Sequence, residues 1–499
     1  MPDILLVTIN AKWIHPSLAL RLLKANLGGL EARCEIIEFA LRQPLREKVD
    51  PVLKARPRIL GVSVSIWNHT ATLELFAELE QAWDAGEVAR PLVVLGGPEV
   101  SHLPPGAGLF RFADYVIRGE GEIAFRALCE RILEPQGRED SLEPYASHYA
   151  KEIDVAAINS AYYLYTDEDL RGKLIYVEAS RGCPGNCEFC LSAVKEDSSA
   201  RSAAVREFPL EPFLAAMDEL IRRGLRCAAP RHGLTFKFLD RSFNVNISRA
   251  QRIMEFFLER LGEQAAEAGP PFTVHFEMIP SRFPAELRET ISRFPPGALR
   301  LETGIQTLNS EAAALVGRPA DPEGELETLR FLWEKTGAII HVDLIAGLPG
   351  EDLVSFGRGF DRLCGLMIET AALSAGPAGH PRAEIQLGIL KLLPGAPIAR
   401  HTKTFGMRYS PAPPYEVLET AALPAAGMER LKNFARFWEL TVNRGLVDIS
   451  AWQGPSIFER FMALSDALLA RFGRNWGIDK NELRKAAELA GRKFPLTNP

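Results

Sequence analysis

The chain has 499 residues, 47% hydrophobic and 24% charged, values near the globular average that exclude a disordered chain, a collagen-like repeat and a disulfide-dense secreted scaffold. At roughly 150 residues per domain, the length predicts about three structural units. The charges sum to −6, which offers no global attraction to nucleic acid or to an anionic membrane.

No stretch approaches the roughly 18 uninterrupted apolar residues of a membrane span, and Met1–Lys12 lacks the basic-then-apolar order of a signal peptide. The expectation is a cytoplasmic protein with no membrane or nucleic-acid partner. In chain order, Ile4–Ile9 is a β-branched apolar run and Ser17–Leu30 carries leucines at helical spacing. Cys34–Phe39, Ile59–Ile66 and Pro91–Leu95 read as further strands, with Leu73–Trp83 an amphipathic helix between the last two. Asp114–Ile117 reads as the last strand of this series and Glu122–Leu133 as the helix after it. Apolar strands separated by helices predict an α/β, doubly wound parallel sheet covered on both faces over residues 1–135.

Residues 136–170, rich in Pro, Gly, Ser and acidic side chains, read as a linker. A second series follows over 171–400, with strands expected at Leu174–Glu178, Leu234–Leu239, Phe272–Phe276, Leu299–Glu302, Ile339–Ile345 and Ala383–Leu390. Six strand-helix units fall short of the eight that close a full barrel, so a partial, six-stranded barrel is expected. Residues 401–499 are Pro-rich to about Pro414 and mainly helical from Pro424 to Gly491, giving a helical C-terminal region.

There are seven cysteines, an odd number in a chain without an export signal, and Cys183, Cys187 and Cys190 fall within eight residues. Three thiolates cannot complete a tetrahedral structural zinc site alone. They can hold three corners of a [4Fe-4S] cluster and leave the fourth iron open for chemistry. A zinc site borrowing Cys227 or His232, or three unligated thiols, are the alternatives. Cys34 and Cys129 lie within apolar patterns and read as core, as do Cys227 and Cys364.

The C-x3-C-x2-C spacing, with Phe189 immediately before the last cysteine and the whole placed after the first strand of a partial barrel, resembles the radical S-adenosylmethionine superfamily. The resemblance implies that the open iron chelates S-adenosylmethionine and that one-electron cleavage yields methionine and a 5'-deoxyadenosyl radical. Leu301–Gln306 is similar to the fourth-strand segment of these enzymes, which places Glu302, Gly304 and Gln306 near the cofactor's ribose and methionine parts. Asp343–Glu351 resembles the fifth-strand segment beside the adenine, with Asp343 and Gly347 as its contacts. Leu390–Gly395 resembles the end of the sixth strand. The Gly-Gly-Glu motif of many members is absent after the second strand, where the chain reads Phe238–Asn244; Asp240 and Arg241 are the candidates for the methionine amino group and carboxylate.

A doubly wound domain binds ligands outside the carboxyl ends of its strands. Those ends carry Asn10, then Ser65, Trp67 and Asn68, then Gly96, Gly97, Pro98, Glu99 and Ser101, then Gly119, Glu120, Gly121 and Glu122. Gly-Gly-Pro-Glu after one strand and Arg-Gly-Glu-Gly-Glu after the next resemble the Rossmann-like cobalamin-binding domain fused to many radical S-adenosylmethionine enzymes. The Asp-x-His-x-x-Gly motif that ligates cobalt in some cobalamin proteins is absent, and His15 sits in Trp13–Leu18 without its aspartate, so cobalt is expected to lack a protein histidine ligand. No glycine occurs in Ile9–Ile14, which argues against a dinucleotide fingerprint there.

The resemblance implies a cobalamin-dependent radical enzyme that methylates an unactivated carbon of a small-molecule or natural-product substrate. It implies a flavodoxin- or ferredoxin-type electron donor as well. A cyclisation, ring contraction or rearrangement with the same cofactors is the alternative reading, and a non-catalytic cobalamin-binding or sensing protein the remote one. Arg430–Glu439, similar to the accessory region of an uncharacterised branch of this class, reads as an amphipathic helix burying Phe434, Phe437 and Trp438 and keeping its basic residues solvated.

Overall fold

The computed structural model describes residues 1–133, 147–149, 152–193, 205–227, 233–263, 270–318, 321–373, 381–450, 452 and 455–493. The chain divides into two compact units, residues 1–180 with 206–237, and residues 181–205 with 238–499. No helix of the described residues is long and apolar enough to cross a membrane.

The first unit opens with β1 (Ile4–Asn10), α1 (Leu18–Ala25), β2 (Cys34–Ala40), α2 (Leu45–Ala55), β3 (Ile59–Ser63) and α3 (His69–Asp84). It continues with β4 (Leu92–Gly96), α4 (Pro98–His102), β5 (Tyr115–Arg118), α5 (Glu122–Leu133) and β6 (Ser147–Tyr149). The sheet runs β2-β1-β3-β4-β5-β6 with parallel pairing, so its order reverses between β1 and β3. β1 is apolar nearly throughout because both its faces are covered. Leu5, Val7 and Ile9 join Val49, Phe76 and Leu79 on one face. Ile4 and Leu6 join Leu20, Phe125 and Cys129 on the other.

Several boundaries differ from expectation. Helix α1 ends at Ala25, where the Asn26 side chain turns back to Leu22 O at 2.9 Å and out to Asn159 O at 3.2 Å, so Ser17–Leu30 is not one helix. Helix α2 escapes a periodicity reading because it starts after Pro44 and contains Pro51. Helix α3 starts at His69, four residues before Leu73. Asp114–Ile117 does not close the sheet, since β6 adds a strand beside β5 from within the stretch read as linker. The same stretch ends in α6 (Asp167–Gly172), started by a capping box in which Thr166 and Asp169 satisfy each other's backbone N–H.

The second series consists of β7 (Ile175–Val177), β8 (Ser180–Arg181), β9 (Arg206–Glu207), α7 (Leu210–Arg226), β10 (Leu234–Phe238), α8 (Ile247–Glu263) and β11 (Phe272–Met278). It goes on through α9 (Ala285–Ser292), β12 (Leu299–Gln306), α10 (Ser310–Leu315), α11 (Pro322–Lys335), β13 (Ile339–Ala346), α12 (Leu353–Glu369) and β14 (Ala383–Ile389). All six expected strands form, in the order β14-β13-β12-β11-β10-β7. Chain order preserved across a sheet, without reversal, is the order of a barrel series rather than of a doubly wound sheet.

β15 (Arg408–Tyr409) in the Pro-rich stretch and β16 (Val417–Glu419) just after it pair antiparallel, a hairpin too short for sequence periodicity to reveal. Helices α13 (Ala425–Thr441), α14 (Ile457–Phe472) and α15 (Lys480–Lys493) complete the chain. Phe434, Phe437 and Trp438 are fully buried, as the Arg430–Glu439 pattern predicts. Phe360 of α12 lies edge-on to Phe434 and Trp438, and Phe458 and Phe461 of α14 close the aromatic cluster. Arg430 pairs with Asp466 at 2.7 Å on the exposed side.

Candidate functional site

The second unit carries the cysteine loop. Cys183, Cys187 and Cys190 are free and half-buried. A Cβ built on Gly185 would stand 3.3 Å from the Cys183 sulfur and 3.9 Å from the Cys187 sulfur, so both thiols face the hollow over this glycine. No three His, Cys, Asp or Glu side chains of the described residues close on a point as around one metal ion. Three protein thiolates are the set that a cluster with one open iron takes, whereas structural zinc takes four protein ligands. Of the two residues that would complete a zinc site, His232 lies outside the described residues and Cys227 follows the end of α7.

Two side chains that the sequence reading did not single out attend these thiols. Ser242 Oγ lies 3.2 Å from the Cys183 sulfur. Its segment is fixed by the buried Asn244, which donates to Ile279 O at 2.9 Å and Arg282 O at 2.7 Å and accepts from the Ile279 N–H at 2.8 Å. The Arg318 guanidinium lies beside the Cys187 thiol; burial pushes that thiol's pKa up, and the guanidinium pulls against it. Arg318 also donates to the Gly304 carbonyl and lies 3.1 Å from Glu325, whose carboxyl burial pushes up to about 7 against the same guanidinium. Asp240 is buried in the segment that holds Ser242, whereas Arg241 is largely exposed and 3.9 Å from Glu277.

The end of β12 is irregular. Its register against β13 shifts between Gly304 and Gln306, and Gln306 adopts φ +65°, a left-handed conformation unusual for a residue with a side chain. The Gln306 amide folds back over Gly304, where a Cβ would come within 2.4 Å of its Nε2. Thr307 follows and donates to the buried Glu351 at 2.6 Å. Gly304 and Asp343 are register partners, so two of the expected contacts sit side by side. Gly347 has another neighbour: a Cβ there would stand 2.5 Å from Val417 and 2.8 Å from Met428, so the glycine admits the C-terminal segment at this point.

One face of this sheet is polar. Register sets Glu302 opposite His341 and His341 opposite Glu384. His275 and His341 stack with ring centroids 5.4 Å apart; His275 Nε2 is 3.2 Å from Glu302 and Gln386 Nε2 2.7 Å from His341 Nδ1. Burial pushes the Glu384 carboxyl up to about 7. The signal was present in β12, where Arg300, Glu302, Gly304 and Gln306 alternate with Leu299, Leu301, Thr303 and Ile305. A strand polar on one face within a covered sheet marks a polar interior.

In the first unit, hydrogen bonds chain the four expected loops into one rim at the carboxyl edge of the sheet. Asn68, fully buried, donates to Ile9 O at 2.9 Å and Ser63 O at 3.3 Å and so pins the crevice where the strand order reverses. The Val64 N–H donates to Gly96 O at 2.8 Å and Val64 O accepts from the Glu99 N–H at 3.1 Å. Gly97 has φ +103°, and a Cβ there would stand 2.5 Å from Val64 O. Ser101 Oγ accepts from the Gly119 N–H at 3.0 Å, and Arg118 donates to Ser101 O at 2.9 Å. Asn10 donates to Glu38 at 3.2 Å, and Glu120 binds Arg206 at 2.6 Å. Ser65 and Glu122 are buried and Gly121 half-buried, whereas Trp67, Pro98 and Gly119 are exposed along the rim.

His15 and His69 have partners inside the unit. His15 Nδ1 lies 2.8 Å from the Tyr176 hydroxyl, and burial lowers its pKa; His69 Nδ1 lies 2.8 Å from Glu99. Cys34, Cys129 and Cys364 are buried, and burial raises each thiol's pKa, as expected of core residues.

Residues 4–129 match the model of the B12 binding domain family. No functionally curated protein matches the chain. Among solved structures, the cobalamin-dependent S-adenosylmethionine radical enzyme OxsB with aqua-cobalamin and S-adenosylmethionine bound is 14% identical over 99% of this chain and 79% of its own, with a TM-score of 0.65. The radical S-adenosylmethionine methyltransferase TsrM from Kitasatospora setae, bound to tryptophan and an S-adenosylmethionine analogue, is 18% identical over 85% of this chain and 81% of its own, with a TM-score of 0.57. At such identities the likeness is one of fold.

Proposed function

We propose that this chain, whose fold is that of the cobalamin-dependent radical S-adenosylmethionine enzymes, is itself such an enzyme and methylates an unactivated carbon of a small molecule. The observation that carries the reading is the loop of three free, half-buried thiols, two of them about Gly185, attended by Ser242 and Arg318. When bound, the cofactors supply a one-electron reductant and radical source at the cluster and a methyl carrier at the corrin.

Cys183, Cys187 and Cys190 would hold three irons of a [4Fe-4S] cluster. Arg318 carries positive charge beside Cys187 and favours its thiolate. The bulge at Gly304–Gln306, with Asp343 alongside and Glu302 on the same strand, would face S-adenosylmethionine with polar side chains, and Asp240 is the candidate for its amino group. In the first unit, Trp67, Pro98 and Gly119 offer exposed, mostly apolar area to a corrin on a rim that is already ordered. His15 and His69 are engaged by Tyr176 and Glu99, in keeping with a cobalt that takes no ligand from either of them. A flavodoxin- or ferredoxin-type protein would deliver the electron.

Anaerobic reconstitution with iron, sulfide, hydroxocobalamin and methyl-deuterated S-adenosylmethionine tests this. Turnover should yield both S-adenosylhomocysteine and 5'-deoxyadenosine, with label in the product. Deoxyadenosine alone, and product free of label, would replace methyl transfer by a cyclisation or rearrangement on the same cofactors.

A further inference from the structure

The cysteine loop is held by one side chain that none of these roles uses. Glu188, between Cys187 and Cys190, accepts from Arg400 Nε at 2.8 Å and Nη2 at 2.6 Å, and His401 Nε2 stands 3.0 Å from it. Its backbone is tied as well, the N–H donating to Val316 O at 2.9 Å and the carbonyl accepting from the Ile398 N–H at 3.0 Å. The Glu188 and His401 side chains are 14% and 8% exposed, that of Arg400 63%. A carboxylate that accepts a paired arginine fork has its direction fixed as well as its charge.

We propose that Glu188 is a positioning residue: clamped by Arg400 and His401, it sets the direction in which Cys187 and Cys190 project, and with it the retention and reduction potential of the iron-sulfur cluster. The inference rests on the cluster reading above. The loop is thus tied to a segment more than 200 residues away in the chain by contacts that need no iron.

The test uses the full chain, reconstituted anaerobically, as wild type, Glu188→Gln, Arg400→Ala and the double variant. Readouts are iron and sulfide per chain, the rate of iron loss to a chelator, the electron paramagnetic resonance spectrum of the reduced cluster and its midpoint potential. Each single variant should lose iron roughly ten- to a hundredfold faster than wild type, as for other partners of metal ligands. The double variant should lose it no faster than the worse single. The potential should move positive in Glu188→Gln and negative in Arg400→Ala, because opposite charges are removed; a merely structural loss would move both alike. Wild-type retention, spectrum and potential in both singles would overturn the proposal, as would effects that simply add. Because Arg400 is exposed, its variant keeps the test open should Glu188→Gln fold poorly. A wild-type chain that takes up no cluster would instead remove the cluster reading, and this inference with it.

Discussion

Replacing Gly97 by alanine should open the rim of the first sheet. At φ +103° a residue with a side chain is strained by about 1–3 kcal/mol. The added methyl would stand 2.5 Å from Val64 O and 2.8 Å from Val64 N, well inside normal contact, and both atoms belong to backbone that cannot swing aside. Moving Val64 away strains its bonds to Gly96 and Glu99, each worth about 1 kcal/mol net. The expected cost is therefore about 3 kcal/mol, roughly a hundredfold in the local opening equilibrium. Hydrogen exchange at the Val64 and Glu99 amides reads the opening directly, and a hydroxocobalamin titration reads its effect on the rim. Gly106→Ala, with nothing within 4 Å of the added methyl, is the control and should change neither. Wild-type exchange and affinity in Gly97→Ala would refute the argument.

Glu351→Gln tests the buried carboxyl beside Thr307, which burial pushes up to about 7. Its folded pKa lies above its unfolded value of 4.5, so the wild type loses stability as pH rises from about 4.5 to 7, and the variant should lose less over that window in denaturant titrations at a series of pH values. Arg21→Met leaves Glu38 and Asp169 short of a partner that stands 2.9 and 3.0 Å away and should cost about 3–5 kcal/mol in urea unfolding; adding Asp169→Asn should recover part of that, and a cost under about 1 kcal/mol would show the network to be dispensable. Cys187→Ala should abolish the iron-sulfur absorbance of the reconstituted chain while leaving hydroxocobalamin binding intact, and cluster formation at the wild-type level would remove this cysteine from the ligand set.

Strand identity was legible in the chain because β-branched apolar runs such as Ile4–Ile9 and Ile59–Ser63 suit a covered parallel sheet. Elements whose signal is not periodic were missed. Helix α2 carries Pro51 within it, β6 lies in a composition typical of linkers, and the β15–β16 hairpin is held by few residues. The cysteine loop was legible because thiolate spacing is local. Ser242, Arg318 and the Arg400–His401 clamp were not, because each reaches its partner from tens to hundreds of residues away and its importance lies in that proximity. Gly347 shows the same limit: the crowding of its Cβ position by Val417 and Met428 comes from residues some 70 to 80 positions further along the chain.

The bulge at the end of β12 carries an arithmetic of its own. Gly304 pairs with Asp343 and Gln306 with Leu344, so two steps along one strand answer a single step along the next. Side-chain facing in a sheet is a matter of parity, and that extra step reverses it: beyond Gly304, odd and even positions exchange sides relative to β13. Deleting Ile305 would remove the extra step and let the ladder run without a break from Gly304–Asp343 to Gln306–Leu344. The segment should therefore tolerate changes of side chain far better than changes of length, the reverse of what is normal where a strand runs out into a loop.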